Sequence, residues 1–444
     1  MRVDETMNRL LDLAGLPSAA LPGSALAYAR FSLFDWLVCG RAGASQPLSG
    51  IIRDYVLEEG GRPVASVFGA AARAPARAAA LVNGTISHAL DYDDTHFAHV
   101  GHPSVGIMPA ALAVAQETGA PAARVAEAFL VGAEASCRIG MVLGRGHYER
   151  GFHQTATAGA FGATVAAGRL YGLDRTAMRH ALSLVATRAS GLKSQFGTMG
   201  KPFNAGISAS NGVEAAALAG RGFVSADDAV GGLQGFVDTH SEDAADARGW
   251  ANPPPGHFVF EDIQYKLHAC CHGTHAMIEA LAAAKREHGL AAGDVAGIEL
   301  AVNPRWLRVC NIPRPRTGLE VKFSYAWLAG MVLNGVDTSS DAAYVDALCE
   351  DARLAAVAGK VRVAGVESVG DTATDAVITL RDNRRVTASH DLAERQPLER
   401  IEAGLRAKAA GLLGRGEAEA LWSAVARLDS LAADDLGALL GNRA

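Results

Sequence analysis

The chain has 444 residues, which is long enough for two domains. Hydrophobic residues make up 49% and charged residues 20%, a globular composition that excludes an intrinsically disordered protein. The net charge of −6 argues against a nucleic-acid-binding protein, although an acidic protein can still bind anions in a local cationic pocket.

Targeting signals are not evident in the sequence. Residues 1–6 carry acids where a secretory signal peptide needs bases followed by a long apolar run. No apolar run reaches the ~18 residues that span a bilayer. The 6 cysteines are too few for a disulfide framework and fit a reducing compartment. We therefore expect a cytoplasmic protein that binds neither nucleic acid nor membrane.

Residues 1 to about 245 have the spacing of helices. Ala- and Leu-rich segments predict helices over 25–38, 76–89, 125–143, 156–171 and 211–220. Because aromatic residues make up only 6% of the chain, these helices must pack closely through Ala and Gly. Three consecutive prolines, 253–255, then mark a break in the helical pattern.

Beyond this break the pattern changes. Alternating apolar residues predict strands over 295–302, 360–364 and 375–380, and helices are predicted over 275–287 and 324–333. Ala-Leu helices return between 398 and 440. We predict a mainly α protein with a large all-helical domain formed by both chain ends, 1–261 with 393–444, and a smaller α+β lid domain, 262–392.

The run from His88 to Val105 is the most informative segment. It holds three carboxylates, four imidazoles and three hydroxyls between two apolar segments. Neighbouring carboxylates and imidazoles shift each other's pKa, which suits proton transfer. If the run is helical, Asp91, Asp94 and Thr95 lie on one side. The alternative is that the acids and Thr95 cap helix ends and the histidines are satisfied surface groups.

Two further segments are candidate anion sites. His153 stands at the predicted start of a helix, and helix N-termini favour anions. Lys201 lies in the Gly-rich segment 197–206, which lacks the spacing of a nucleotide-binding P-loop but suits a carboxylate clamp. The alternatives are a structural histidine and a solvated loop lysine.

Cysteine and histidine are concentrated between Tyr265 and His275. Adjacent cysteines do not form the usual Cys-x-x-Cys zinc knuckle, and no second pair stands at zinc-finger spacing, which argues against a metal site. Lys266 and His272 in this segment fit an anion site between domains. The basic segment 314–327 suits carboxylate recognition or is a solvated loop.

In this order, these segments resemble the MmgE/PrpD family over about residues 5–440. The most specific parts are Asp91–Thr95 with His102–Ser104, and Lys266–His275. The family includes 2-methylcitrate dehydratase, cis-aconitate decarboxylase and iminodisuccinate epimerase. The resemblance implies a helical domain with an α+β lid, a homodimer, and neither a metal nor an organic cofactor.

The resemblance identifies the family's active-site positions as Asp91, Thr95, His102, His153, Lys201 and Lys266. We assign roles to these residues from their chemistry. His102 is expected to be the general acid/base, with Asp91 setting its tautomer and Thr95 bonding the substrate or a leaving hydroxyl. The expected ligands of the substrate carboxylates are His153, Lys201, Lys266, His272 and Tyr325. His272 lies where dehydratase-like members often have arginine, and Cys271 lies where the decarboxylase has histidine.

The expected activity is cofactor-independent acid/base catalysis next to a carboxylate of a small di- or tricarboxylic acid. The leading expectation is a 2-methylcitrate dehydratase-like hydro-lyase. The alternatives are an epimerase of an iminodisuccinate-like substrate, a cis-aconitate-type decarboxylase, and a silent ligand-binding homologue without turnover.

Overall fold

The computed structural model describes residues 5–441, which form two compact units. The first unit contains the described residues up to Tyr265 and those from Leu413 onward. The second unit contains Lys266–Leu412. From the sequence, we expected the smaller domain to cover residues 262–392. The second unit begins at Lys266 and also includes residues 393–412.

The described residues form eighteen α-helices and six β-strands. The helices are α1 Thr6–Ala14, α2 Gly23–Gly43, α3 Pro47–Glu59, α4 Ala76–Ser87, α5 Pro103–Thr118, α6 Ala122–Arg150, α7 Gln154–Tyr171, α8 Arg175–Ala186, α9 Gly200–Ala219, α10 Phe236–His240, α11 Asp246–Trp250, α12 His275–His288, α13 Gly318–Val321, α14 Tyr325–Asn334, α15 Ala352–Ala358, α16 Leu398–Leu413, α17 Arg415–Ala426 and α18 Ala433–Ala438. The strands are β1 Ala65–Ser66, β2 Arg73–Ala74, β3 Val295–Val302, β4 Val361–Gly365, β5 Ala373–Leu380 and β6 Arg385–Asp391.

Helices α4, α5, α7 and α9 form the centre of the first unit, where they pack against one another, and α5 and α7 also pack against α6. Nearly every residue of α5 and α7 is buried, so these helices have neighbours on all sides. A β-carbon at Gly84 of α4 would lie only 2.8 Å from the Cα of Gly206 of α9. The two backbones therefore touch, as expected from the low aromatic content.

A four-stranded sheet organises the second unit, in the order β4-β3-β5-β6. β4 pairs with β3 in parallel, and the other two pairings are antiparallel. Ile298, Leu300 and Val302 of β3 are buried and alternate with more exposed residues, so one face of this strand supplies core. Helix α12 packs against β5 and β6.

The predicted mainly α fold is confirmed. All five helices predicted before residue 245 form, and the strand predicted over 295–302 matches β3. β6 was not predicted, because only Val386 of this edge strand is a buried large apolar residue and the alternation is weak. Among residues 5–441, none of the helices has the combination of length and hydropathy that crossing a membrane requires.

Candidate active site

The ends of four packed helices in the first unit carry the candidate site. His88 follows α4 as its C-cap, and His102 and His153 are the N-cap residues of α5 and α7. Lys201 lies in the first turn of α9, not in the loop that the Gly-rich pattern suggested. Packed helices therefore position these side chains.

The segment 88–102, between α4 and α5, is a loop, so the helical interpretation of this run is wrong. Asp91 and Val100 have left-handed backbone conformations, with φ of 51° and 58°. Aspartate tolerates this region, but a β-branched residue there is strained, as is typical of functional sites. A β-carbon at Gly101 would lie 2.9 Å from the backbone nitrogen of Thr155, so glycine permits the approach that places the next residue, His102.

The chain beyond the three prolines supports this loop. Thr95 and Gln264 exchange two backbone hydrogen bonds of 2.8 Å. His96 Nε2 donates to the carbonyl of Val259 over 2.7 Å, and its Nδ1 accepts the backbone N–H of His99 over 3.1 Å. Because one ring nitrogen donates and the other accepts, His96 is a neutral histidine that shapes the loop.

Asp93 is fully buried between two histidines. His88 Nδ1 donates to Asp93 Oδ1 over 2.7 Å. His102 Nδ1 lies 2.9 Å from Asp93 Oδ2, although the two groups are not aligned as a hydrogen bond. A carboxylate can only accept, so Asp93 favours a proton on Nδ1 of each ring and leaves each Nε2 with its lone pair.

Burial and charge set the protonation states of this cluster. Burial raises the pKa of Asp93, but the imidazoles of His88 and His102 outweigh it and hold that pKa well below its usual range. Burial lowers the pKa of His102 to about 4; Asp93 opposes this shift, and His88 and Lys201 reinforce it. At neutral pH an ionised Asp93 therefore orients a neutral His102, which is the form that accepts a proton.

Asp91 lies between His102 and Lys201. Its Oδ1 is 3.6 Å from His102 Nε2, too long for a hydrogen bond, and its Oδ2 is 2.6 Å from Lys201 Nζ. With 44% of its side chain exposed, Asp91 is the most accessible member of the cluster. The structure thus corrects one expectation, because Asp93 and not Asp91 occupies the position that fixes the tautomer of His102.

His153 is buried beside the two histidines, with its ring centroid 6.3 Å from that of His88. The amide nitrogen of Asn204 donates to His153 Nδ1 over 3.1 Å, which places the ring proton on Nε2. Burial, followed by the charge of Lys201, lowers the pKa of His153 well below its usual range. His153 is therefore a neutral hydrogen-bond donor.

Asp94 contacts a different set of groups. It accepts the hydroxyl of Ser32 over 2.9 Å, the backbone N–H of Ser104 over 3.2 Å, and the hydroxyl of Ser104. Burial raises the pKa of Asp94 to about 7, and the nearby carboxylate of Asp35 adds to the effect. Asp94 therefore titrates near neutrality at the N-terminus of α5.

Three other predicted site residues belong to the second unit. Lys266 and His272 belong to the second unit, where they are 4% and 6% exposed. Tyr325 is fully buried there, and its hydroxyl donates to the carbonyl of Gly273 over 2.7 Å. The backbone of its own unit thus uses the Tyr325 hydroxyl, which does not favour the expected substrate contact. The roles of Thr95, Lys266 and His272 stay predictions.

Sequence reasoning did not select His88, Asp93 or Asn204. Both His88 and Asp93 lie in the polar run. Asp93 falls off the face that a helix would give to Asp91, Asp94 and Thr95, whereas His88 lies at the edge of that face and was assigned no role. Asn204 lies three residues after Lys201, and this spacing identifies it as a neighbour once a helix is taken to start near residue 200.

The cluster could also be considered as a cation site. His88, Asp91, Asp93 and His102 offer donor atoms that lie within 4.8 Å of one another, and histidine with carboxylate is a zinc-type donor set. However, the ammonium of Lys201 is 2.6 Å from Asp91 and opposes a second cation there. Lys201 therefore makes this cluster a poor site for a metal cation.

Comparison with known proteins adds to this geometry. The MmgE/PrpD N-terminal domain matches residues 13–247, and the MmgE/PrpD C-terminal domain matches residues 268–429. The chain is 30% identical over 296 residues to the cis-aconitate decarboxylase-like protein oryM of Aspergillus oryzae. The aligned residues are 62% of this chain and 60% of that protein.

Two other relatives are cis-aconitate decarboxylases. The Aspergillus terreus enzyme is 27% identical over 298 residues, 62% of this chain and 59% of its own. The human enzyme is 27% identical over 284 residues, 59% of this chain and 56% of its own. The aligned part thus spans between 56% and 60% of the length of these relatives.

Together, the two family domains match most of the chain. The resemblance predicted from the Asp91–Thr95 and Lys266–His275 segments is therefore confirmed: this chain belongs to the MmgE/PrpD family.

Proposed function

We propose that this chain is a cofactor-independent lyase that uses acid/base chemistry next to a carboxylate of a small di- or tricarboxylic acid. The observation that carries the proposal is the position of Asp93, which lies against Nδ1 of both His88 and His102. A carbon–hydrogen bond next to a carboxylate is a weak acid. Its cleavage needs a placed base and a cation near the developing charge.

His102 is the proposed base. Its Nε2 faces Asp91, whose other oxygen pairs with Lys201. A substrate carboxylate has the charge and shape of the Asp91 carboxylate, so Lys201 can bind it at a similar distance. The adjacent carbon would then lie near Nε2 of His102, and the neutral His153 offers a further hydrogen-bond donor.

An anionic substrate would also tune the base. The pKa of His102 is about 4 in the free protein because the residue is buried. A carboxylate bound beside the ring stabilises the imidazolium and raises that pKa. We therefore expect kcat/KM to fall only below about pH 4, whereas kcat, which reports the substrate complex, falls at a higher pH.

Dehydration of a 2-methylcitrate-like hydroxy acid is our first candidate reaction. Elimination of water requires a base for the carbon-bound proton and an acid for the departing hydroxyl. His102 offers the base, and His153, whose proton lies on Nε2, offers a donor to the departing hydroxyl, while Lys201 binds the carboxylate.

Decarboxylation of cis-aconitate is the second candidate, because the curated relatives carry that activity in their names. This reaction needs one proton donor at the carbon that loses carbon dioxide. Cys271 in place of the histidine expected in the decarboxylase argues against it.

Proton NMR in D2O tests the proposal. The purified chain and its His102→Gln variant would each be incubated with 2-methylcitrate, citrate, cis-aconitate and iminodisuccinate. An alkene formed from a hydroxy acid by the wild type alone supports dehydration. Release of carbon dioxide from cis-aconitate would instead support decarboxylation, the second candidate reaction.

Deuterium entry beside a carboxylate without net loss of substrate would instead indicate an epimerase and contradict the lyase. Binding of these acids without any turnover or exchange would indicate a silent homologue. Equal rates for the wild type and His102→Gln would remove His102 from the proposed mechanism.

A further inference from the structure

Two thiols of the second unit lie in direct contact. Cys310 Sγ donates to Cys271 Sγ over 3.1 Å, although 39 positions separate the residues in sequence. A disulfide bond is ~2.05 Å long, so a shift of roughly 1 Å would suffice to form one. Cys310 is fully buried and Cys271 is partly accessible.

The fold fixes the backbone on both sides of this contact. The N–H of Cys271 donates to Lys322 over 3.0 Å, and the N–H of Cys310 donates to Trp306 over 2.7 Å. The carbonyl of Cys310 accepts the N–H of Tyr325 over 3.1 Å. Because both cysteines are held by backbone hydrogen bonds, the proximity of the sulfur atoms is built into the unit.

The contact gives the two thiols different roles. The hydrogen bond to Cys271, followed by burial, raises the pKa of Cys310, so Cys310 holds its proton. Cys271 accepts that hydrogen bond and is the more accessible of the two. Cys271 is therefore the sulfur that meets a reagent first, and Cys310 is the second.

We propose that Cys271 and Cys310 form a reversible oxidation site, which a small-molecule disulfide such as glutathione disulfide converts into an intrachain disulfide. The Cys271 thiolate attacks one sulfur of the reagent, and one glutathione thiolate leaves. Cys310 then loses its proton, attacks the Cys271 sulfur and displaces the second glutathione. The protein loses two protons and two electrons, and the reagent is reduced to two thiols.

The bond would constrain the turn that carries His272, a predicted substrate ligand. Cys271 directly precedes His272, and the next residue, Gly273, is held by the Tyr325 hydroxyl. Oxidation would therefore displace His272 and weaken substrate binding. This consequence rests on the proposed function, whereas formation of the disulfide does not.

Thiol mapping on the full chain tests the proposal. The reduced protein would be equilibrated in glutathione buffers of increasing oxidised fraction, quenched in acid, alkylated and digested, and its peptides weighed. We expect a peptide pair joined through Cys271 and Cys310 that reverts with dithiothreitol. In Cys310→Ser the reaction should stop at one glutathionyl group on Cys271.

Cys270→Ser is the matched control, because Cys270 neighbours Cys271 but contacts Thr274, and it should still form the bond. The proposal is overturned if wild-type Cys271 and Cys310 remain alkylated in every buffer, if Cys271 stops at a glutathionyl adduct, or if Cys270 takes the place of either. These readouts do not depend on catalytic activity, so they test the disulfide even if the chain proves to be a homologue without turnover.

Discussion

Asp93 and Asp94 are neighbours in the chain and are equally buried, yet their pKa values move in opposite directions. Asp93 lies against two imidazoles, which hold its pKa well below the usual range despite burial. Asp94 accepts hydroxyl hydrogens near a second carboxylate, and burial raises its pKa to about 7. The partners of a buried acid, more than its depth, thus decide whether it orients a base or stores a proton.

Substitution of the base should have the largest effect. His102→Gln removes the imidazole that Asp93 orients, and we expect turnover to fall by roughly 10²–10⁴-fold while the fold is retained. Steady-state kinetics with the substrate found by NMR, alongside circular dichroism, would measure both. His288→Gln, at an exposed helix end, is the control and should leave turnover unchanged. A similar loss in that control would contradict a specific role for His102.

Asp93→Asn should have the second largest effect on turnover. The amide keeps the shape but offers donors as well as acceptors, so His102 loses the fixed tautomer, and we expect kcat to drop by about 10²–10⁴-fold. Because Asp93 acts through His102, the Asp93→Asn/His102→Gln double variant should lose little more than His102→Gln alone. Additive losses would show that Asp93 acts independently.

Asp94→Asn should instead change the pH dependence of stability. The folded-state pKa of Asp94 is raised to about 7, so the stability it contributes is present at low pH and is lost as pH rises from about 4 to about 7. The free energy of unfolding of the wild type, relative to Asp94→Asn, should decline by up to about 4 kcal/mol over that window. Urea denaturation at several pH values measures it, and parallel curves for the two proteins would refute the assignment.

Lys201→Met should act mainly on substrate binding. The variant removes the ammonium that pairs with Asp91, and we expect KM to rise about tenfold or more, with a smaller change in kcat. Lys193→Met is the matched control, because the Lys193 ammonium donates to the Tyr148 carbonyl. A fall in kcat at constant KM would show that Lys201 acts in the transition state instead.

The smallest effect is expected from His99→Leu. Among the described residues, neither ring nitrogen of His99 has a hydrogen-bond partner, and burial lowers the pKa of His99 well below its usual range. Replacing an unpartnered buried imidazole by an apolar side chain should change stability by less than about 1 kcal/mol, or increase it. Thermal or urea denaturation checks this. A loss of several kcal/mol in the free energy of unfolding would contradict the prediction and show that His99 stabilises the fold.

The helices were predictable because their apolar periodicity is long and regular. Segment 156–171 matches α7, and 295–302 matches β3. The limits of the two units were harder to predict. Helix α16 has the same Ala-Leu pattern as the helices of the first unit, although most of it belongs to the second unit. Periodicity identifies elements, but it does not show which core they join.

For the site, the sequence located the polar run and the helix ends but not the pairing within the run. His102, Lys201 and His153 were selected because of their flanking motifs. Asp93 was passed over, since a loop with left-handed residues at Asp91 and Val100 has no simple spacing rule. Which acid faces which imidazole depends on backbone dihedral angles that residue types alone do not encode.

The contact between Gly84 and Gly206 also bears on how this protein can diverge. Since the backbones of α4 and α9 touch there, selection has no side chain to vary at the crossing. The separation of the helix ends that bear His88 and Lys201 is thus inherited as a fixed frame by any descendant that keeps both glycines. Side chains around those ends can change, while the spacing between the two helix ends passes unchanged from one lineage to the next.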